Sequence, residues 1–343
     1  MNRGKKSDMP SLDEWRSLYK AAKEFHDLRP WTWMSDIEMF GVKNPDGGQM
    51  GYCCVLGQLE EVFALVVYLG PEGLAGYLRL QSGEIDIYDP DVAHVQNCLM
   101  ASFKDRRDLD QEDLKLIKKL GLKFRGRGAW PQFRSHRPGY VPWYLASWEA
   151  RFLRVALEQA TQVARRLQEK PDLLNSSDKN SLLTRVLIVE DGNETWDDRW
   201  MELPEVEEKI MRVSPLNELR LARTAKACKS KRGTWEIDFF YFPAAVTEGE
   251  RPYFPLAALI MDHSTGLALD TWVEAPWKFF ALFSERLLTF MEKYTILPAE
   301  VLVAKEEAIE ILKPITSRLG IKLSLVEVLA NVEEFKEAMT THL

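Results

Sequence analysis

The stretch TWEIDFFYFPAAV, residues 234–246, sets the acidic residue Asp238 inside a run that is mainly apolar and aromatic. A second run follows, PLAALIMDHSTGLALD at 255–270, with Asp262 at the end of its apolar part. Alternating and continuous apolar residues of this length, rich in Ile, Phe and Trp, read as strands with at least one buried face. A carboxylate in such a strand needs a partner or a task, because a lone buried charge is heavily penalised.

Working outward, three strands come first: TWEIDFFYF, FPLAALIMD and GLALDTWVE. The turn HSTG joins the last two as a tight hairpin. A helix opened by Pro276 follows, then the short strand EVLVA, the helix EEAIEILKPITSRLG, the strand IKLSLVEV and a last helix, NVEEFKEAM. A helix between two short strands is the crossover that parallel pairing requires.

This order, a three-stranded meander followed by α, β, α, β, α, resembles the ribonuclease H-like fold, and in particular the catalytic core of retroviral-type integrases and related transposases. The local sequence carries the likeness: Trp235 ahead of Ile237-Asp238 in WEID, LIMDHSTGLALD at 259–270, and Pro298 before the fourth strand in PAEVLVA. The resemblance covers about residues 234–340. It implies two Mg²⁺ or Mn²⁺ ions about 4 Å apart, held by converging carboxylates and acting on a phosphodiester.

Asp238 matches the first acidic position and is the candidate metal ligand. At the end of the fourth strand, where the resemblance implies Asp followed by Asn-Gly, the chain reads LVAKEEA and offers Lys305. An ammonium group there repels a divalent cation. Glu306 is the substitute acid, although an acid at a helix start is also favoured by the helix dipole. Glu334, with Glu333 and Glu337 beside it, is the candidate on the last helix. Asp262 reads as an Asx-turn residue, and His263 as a turn residue.

The rest of the chain is a separate unit. SLDEWRSLYKAAKEFHDL repeats apolar residues at helical spacing with Ser11 as its cap, and Pro30 ends it. GYCCVLG and EVFALVVYLG read as neighbouring strands, Pro71 to Gln81 as a helix, and NCLMASF as another strand. DQEDLKLIKKLGL is a helix ending at Gly121, and a long helix is expected from about Leu145 to Glu169. KPDLLNSSDKNS has the composition of a linker, which places the domain boundary near residue 178. The expected architecture is an N-terminal α+β domain, 1–177, followed by a ribonuclease H-like mixed-sheet domain, 178–343. The N-terminal block RPWTWMSD, FGV and GYCCVLGQLEEVFAL resembles a domain shared by uncharacterised bacterial proteins with a similar C-terminal half; that family brings no assigned activity.

The segment KKLGLKFRGRGAWPQFRSHRPGYVPWY, from Lys118, holds a series of cations without an acid among them. Arg125, Arg127, Arg134 and Arg137 with Trp130 are the candidates for nucleic-acid contact, since single-strand binders pair cations with aromatic faces. The same composition suits a loop pinned by its aromatic residues with wet arginines. Arg223 and Lys226, with Arg220 and Lys229 in the helical stretch NELRLARTAKACKSKR, are further candidates, the alternative being a solvated face.

The 343 residues carry a formal net charge of −7, which gives no general attraction to nucleic acid or anionic lipid. The longest apolar run, VFALVVYL, is far too short to span a membrane. Cys53, Cys54, Cys98 and Cys228 show no metal or redox spacing, and Cys53 and Cys54 point to opposite faces of a strand. The N-terminus lacks the apolar segment of a signal peptide, so the expected location is the cytoplasm. No phosphate loop, nucleophile elbow or zinc motif occurs. The reading is a non-catalytic binding or interaction module without a cofactor, with a Mg²⁺- or Mn²⁺-dependent nuclease or strand-transfer enzyme as the alternative.

Overall fold

The computed structural model describes residues 9–59, 61–85, 92–178, 180–205, 217–228 and 230–341. The chain divides into two compact units, Met1–Val206 and Glu207–Leu343. Both mix helices with sheets, as the α+β expectation requires.

The first unit begins with α1 (Leu12–Leu28), where Ser11 and Glu14 cap the helix reciprocally: the Glu14 amide donates to Ser11 Oγ at 3.2 Å and the Ser11 amide to Glu14 Oε2 at 2.6 Å. There follow β1 (Phe40–Lys43), β2 (Met50–Leu56), β3 (Phe63–Leu69), α2 (Gly70–Gln81), α3 (Val92–Val95), β4 (Cys98–Lys104), α4 (Gln111–Leu120), β5 (Trp130–His136), α5 (Ser147–Glu169), β6 (Ser181–Glu190) and β7 (Asn193–Glu202). The strands form one sheet in the order β5-β4-β3-β2-β1-β6-β7. All neighbours are antiparallel except β1 and β6, which run parallel.

Alternation across β2 sends Cys53 to the face covered by α1 and α5 and Cys54 to the face covered by α2, as the opposed side chains of strand neighbours demand. On the larger face Leu18, Phe25, Phe40, Phe152 and Leu153 are fully buried. Gly51 is what lets α5 approach: an added Cβ would lie 2.6 Å from Val67 Cγ1 and 2.7 Å from Phe152 Cζ.

Two expectations are corrected here. The aromatic stretch after Gly121, read as a loop, contains the sheet-edge strand β5, where Pro131 is tolerated because an edge strand has amides with no partner to lose. The boundary expected near residue 178 falls ahead of two strands that belong to the first sheet. Local composition at 170–181 is that of a loop, but β6 continues the sheet from β1, and a tight turn at Asp191 (φ 51°) and Gly192 (φ 78°) folds β7 back on it. Arg185 on β6 is 9% exposed and donates to Gln159 of α5 and to Asp198 of β7.

The second unit contains α6 (Glu218–Ala227), β8 (Ser230–Lys231), β9 (Thr234–Tyr241), β10 (Leu256–Asp262), β11 (Ala268–Glu274), α7 (Pro276–Tyr294), β12 (Ile296–Leu297), β13 (Glu300–Val303), α8 (Glu306–Leu319), β14 (Lys322–Leu325) and α9 (Ala330–Thr341). Its main sheet has the order β11-β10-β9-β13-β14, antiparallel through the first three strands and parallel through the last three. β9 is therefore the central strand. Its odd-numbered residues Trp235, Ile237 and Phe239 enter the core built by α7 and α8. On the other face Leu259, Met261, Leu329 and Val332 pack together, with Phe240 and Phe335 against them, beneath α9.

A fragment ending at residue 177 is expected to melt more than about 5 °C below one ending at 206, because burying a Leu-sized side chain contributes about 2–3 kcal/mol and a unit of this size shifts by about 2–4 °C per kcal/mol. Thermal unfolding of the two fragments by circular dichroism checks the boundary; equal melting would place β6 and β7 outside the unit.

Candidate functional site

The even-numbered side chains of β9 project towards α9, so Glu236 and Asp238 share one face of a central strand. Glu236 is 1% exposed and Asp238 2%. Asp238 therefore lies on a central strand and away from solvent.

Both oxygens of Asp238 are taken by ammonium groups. Lys305 Nζ lies 3.1 Å from Oδ1 and Lys336 Nζ 2.6 Å from Oδ2. Lys305 is the N-cap residue of α8, just after β13, and it also donates to the Phe239 carbonyl at 2.9 Å. Parallel pairing of β13 with β9 brings it there. Lys336, on α9, bonds Glu333 at 2.9 Å and lies 4.9 Å from the centre of the Phe240 ring. Burial pushes the Asp238 carboxyl up, and the two ammonium groups outweigh it, holding the group below its ordinary value. Burial pushes Lys336 down, and Asp238 outweighs that in turn.

Glu236 receives three donors. His263 Nδ1 lies 2.6 Å from Oε1, Asn331 Nδ2 2.7 Å from Oε1, and the backbone amide of Val332 3.2 Å from Oε2. The amide belongs to the first turn of α9, so the carboxylate caps that helix from the sheet and meets the positive end of its dipole. Asn331 also donates to the His263 carbonyl at 3.1 Å. Gly266, at φ +67°, turns β10 into β11 beside it, where a Cβ would approach Asn331 Oδ1 to 3.1 Å.

The spacing of the two acids explains the fit. Residues two apart on a strand lie about 6.6 Å apart, and residues four apart on a helix about 6 Å. Glu236 and Asp238 thereby match Val332 and Lys336, and α9 is fastened at both ends of one helical turn.

The other candidate acids do not join this centre. Glu306 opens α8 and is exposed, Glu334 is exposed on α9, and Glu333 is engaged by Lys336. Among the described residues no three His, Cys, Asp or Glu side chains are grouped to hold a metal. A hard divalent cation takes several oxygen ligands, and the donors around Asp238 are ammonium groups, so the residues present do not fit Mg²⁺ or Mn²⁺. Asp262 is an Asx-turn residue, as its sequence neighbours indicate: its Oδ1 accepts from the amides of Ser264 and Thr265 at 3.1 and 2.9 Å. His263 has a larger part than a turn residue, because β10 ends beside Glu236.

The basic stretch of the first unit separates into two classes. Arg134, on β5, has a side chain 13% exposed, donates to Asp113 Oδ2 and Asp110 Oδ2 at 2.6 Å each, and lies 4.7 Å from the Tyr144 ring centre. Burial pushes the Tyr144 hydroxyl up to about 12, with Asp110, which it bonds at 3.0 Å, adding to the rise. Arg137 lies 2.9 Å from the buried carboxylate of Glu149. Arg134 is thus taken up by two acids of the fold, whereas Arg137 pairs with one acid and stays exposed. Arg125 and Arg127 are exposed, and Trp130 is half-buried against the core. On α6 Arg223 and Lys226 are exposed, whereas Arg220 turns to Glu285 and Glu292 of α7, each at 3.1 Å; Lys229 lies outside the described residues.

Sequence reasoning did not find Lys336, Glu236 or Asn331, nor the part played by His263. The available signal was two acids at i and i+2 in an apolar strand; nothing marks Lys336 among the other charges of its helix.

These two units correspond to two sequence families. Residues 15–185 match a domain of unknown function, DUF7309. Residues 220–340 match a second, DUF6930. The chain thus carries two domains of unknown function, and no curated protein matches it.

Replacing Lys336 by Met is expected to cost about 2 kcal/mol in urea unfolding, less than the roughly 3–5 for a fully buried pair, because Lys336 reaches solvent and Lys305 remains. The contribution of Asp238 is present above its ordinary value of 3.8 and is lost as pH falls through the lowered folded-state value. The stability difference between wild type and Asp238→Asn is accordingly full at neutral pH and shrinks in acid; a pH-independent difference would separate the effect from ionisation.

Proposed function

We propose that the second unit is a ribonuclease H-like domain in which an ion-paired triad replaces the metal-binding centre, and that the protein is a non-catalytic binding or interaction module. The observation that carries this reading is Asp238 held between the ammonium groups of Lys305 and Lys336. Lys305 follows the fourth main-sheet strand and Lys336 lies on the last helix, the two places where the resemblance calls for carboxylates. Two single positive charges stand beside the acid that two divalent ions would otherwise share. The order of elements, meander then α, β, α, β, α apart from the two-residue strand β12, supports the fold assignment.

Phosphodiester chemistry by Asp238, Glu306 and Glu334 would require Lys336 and Lys305 to withdraw and two exposed glutamates to turn inward. Electrostatics opposes that rearrangement, since removing both ammonium groups strands a buried carboxylate. A cytoplasmic setting belongs to the same reading; it is supported by four free, buried cysteines, of which burial pushes Cys54 and Cys98 up to about 12. Among the described residues no helix is long and apolar enough to cross a membrane.

Calorimetric titration of the full chain with Mn²⁺ is expected to give no specific binding, and labelled DNA and RNA are expected to remain uncut with Mg²⁺ or Mn²⁺. Stoichiometric Mn²⁺ binding abolished by Asp238→Asn would overturn the reading. A double variant, Lys305→Asp with Lys336→Glu, is expected to lose stability in chelator and to recover it in millimolar Mn²⁺, because binding to the native state alone stabilises it. Absence of that recovery would count against a ribonuclease H-like centre.

A further inference from the structure

Between α4 and β5 the first unit has an open groove of about 480 Å³. Leu114, Ile117 and Leu122 form its apolar wall, and Trp130 lines it. Its charged lining is Arg106, Lys115, Lys118 and Lys123, with no acid among the described lining residues. A smaller depression of about 160 Å³ adjoins it, shares Lys123, and adds Phe124 and Arg125. Within these surroundings Lys115 is paired with Glu112 at 2.5 Å, and Lys23 of the smaller depression with Asp27. Cations thus line both adjoining hollows, with Asp27 the one acid among their described lining residues, on a chain whose net charge is −7.

We propose that this groove binds single-stranded nucleic acid, with its phosphates along Lys118, Lys123 and Arg125 and a base against Trp130. Cations spread over two adjoining hollows suit a repeating polyanion, whereas a single anion would need them to converge. Trp130 offers a flat apolar face with the Arg106 guanidinium 5.8 Å from its ring centre, the combination on which unstacked bases rest. A duplex keeps its bases stacked inside and gains nothing from the aromatic wall. The proposal names a ligand for the binding module, but it stands on the first unit alone, so its failure would leave the Mn²⁺ experiments on the second unit unaffected.

Fluorescence anisotropy of the full-length protein with a labelled strand of about 20 nucleotides, at about 50 and 200 mM salt, tests it. Binding is expected at the lower salt and weaker binding at the higher. Lys118→Glu combined with Lys123→Glu is expected to lower affinity at least about tenfold and to reduce the slope of log K against log salt by about 1.4, near 0.7 for each phosphate that is no longer neutralised. Trp130→Ala is expected to weaken binding about tenfold with the salt slope unchanged. Arg223→Glu with Lys226→Glu, on the second unit, is expected to change nothing. A melting temperature unchanged in the Lys118/Lys123 variant separates loss of binding from loss of fold. No anisotropy change at the lower salt overturns the proposal, as does full affinity in that variant, which would leave the lysines a solvated helix face. Equal binding of a duplex would remove the role of Trp130.

Discussion

The second unit is organised around two buried carboxylates on its central strand. Each charge taken out of water must be compensated where it sits, and α9 is the element that compensates both. Its first-turn amide and Asn331 serve Glu236, and Lys336 one turn later serves Asp238. Apolar packing of Leu329 and Val332 on Leu259 and Met261 is non-directional and would accept several positions of the helix. The two acids select one of them, since the strand repeat and the helical turn agree in length.

The same charges decide the chemistry. A cluster of carboxylates alone repels itself and stays open for a cation, whereas a carboxylate between two ammonium groups is neutralised by the chain that carries it. Lys305 and Lys336 thus make Asp238 a fastening between sheet, β13–α8 junction and α9. His263 extends that fastening to the β10–β11 turn through Glu236.

In the first unit, burial sorts residues of one type into different work. Arg134 follows Arg125 and Arg127 closely in the chain, yet β5 turns it onto Asp110 and Asp113 while the preceding loop leaves the other two exposed; Arg137, just past the strand, is exposed and still reaches the buried Glu149. A guanidinium can satisfy a buried acid or face a polyanion, and composition is blind to the choice. The groove is assembled from α4, the turn after Gly121 and the first residue of β5, so it exists only once that edge strand is formed.

The sequence by itself determined the elements whose causes are local. Short apolar runs marked β2, β3, β4, β9 and β10, Ser11 and Gly121 marked helix ends, and the Asx-turn at Asp262 followed from its neighbours. It also marked Asp238 as an acid in need of a partner and Lys305 as an obstacle to metal. What tertiary structure decided depends on residues far apart in the chain. β6 and β7 belong to the first sheet because β1 leaves them an edge, a pairing across some 140 residues that no linker-like composition reveals. Lys336 meets Asp238 because the last helix crosses the central strand, and a lysine on a charged helix looks the same in the sequence whether it meets water or a buried acid. Periodicity records which way a side chain faces; only the folded chain determines what it faces.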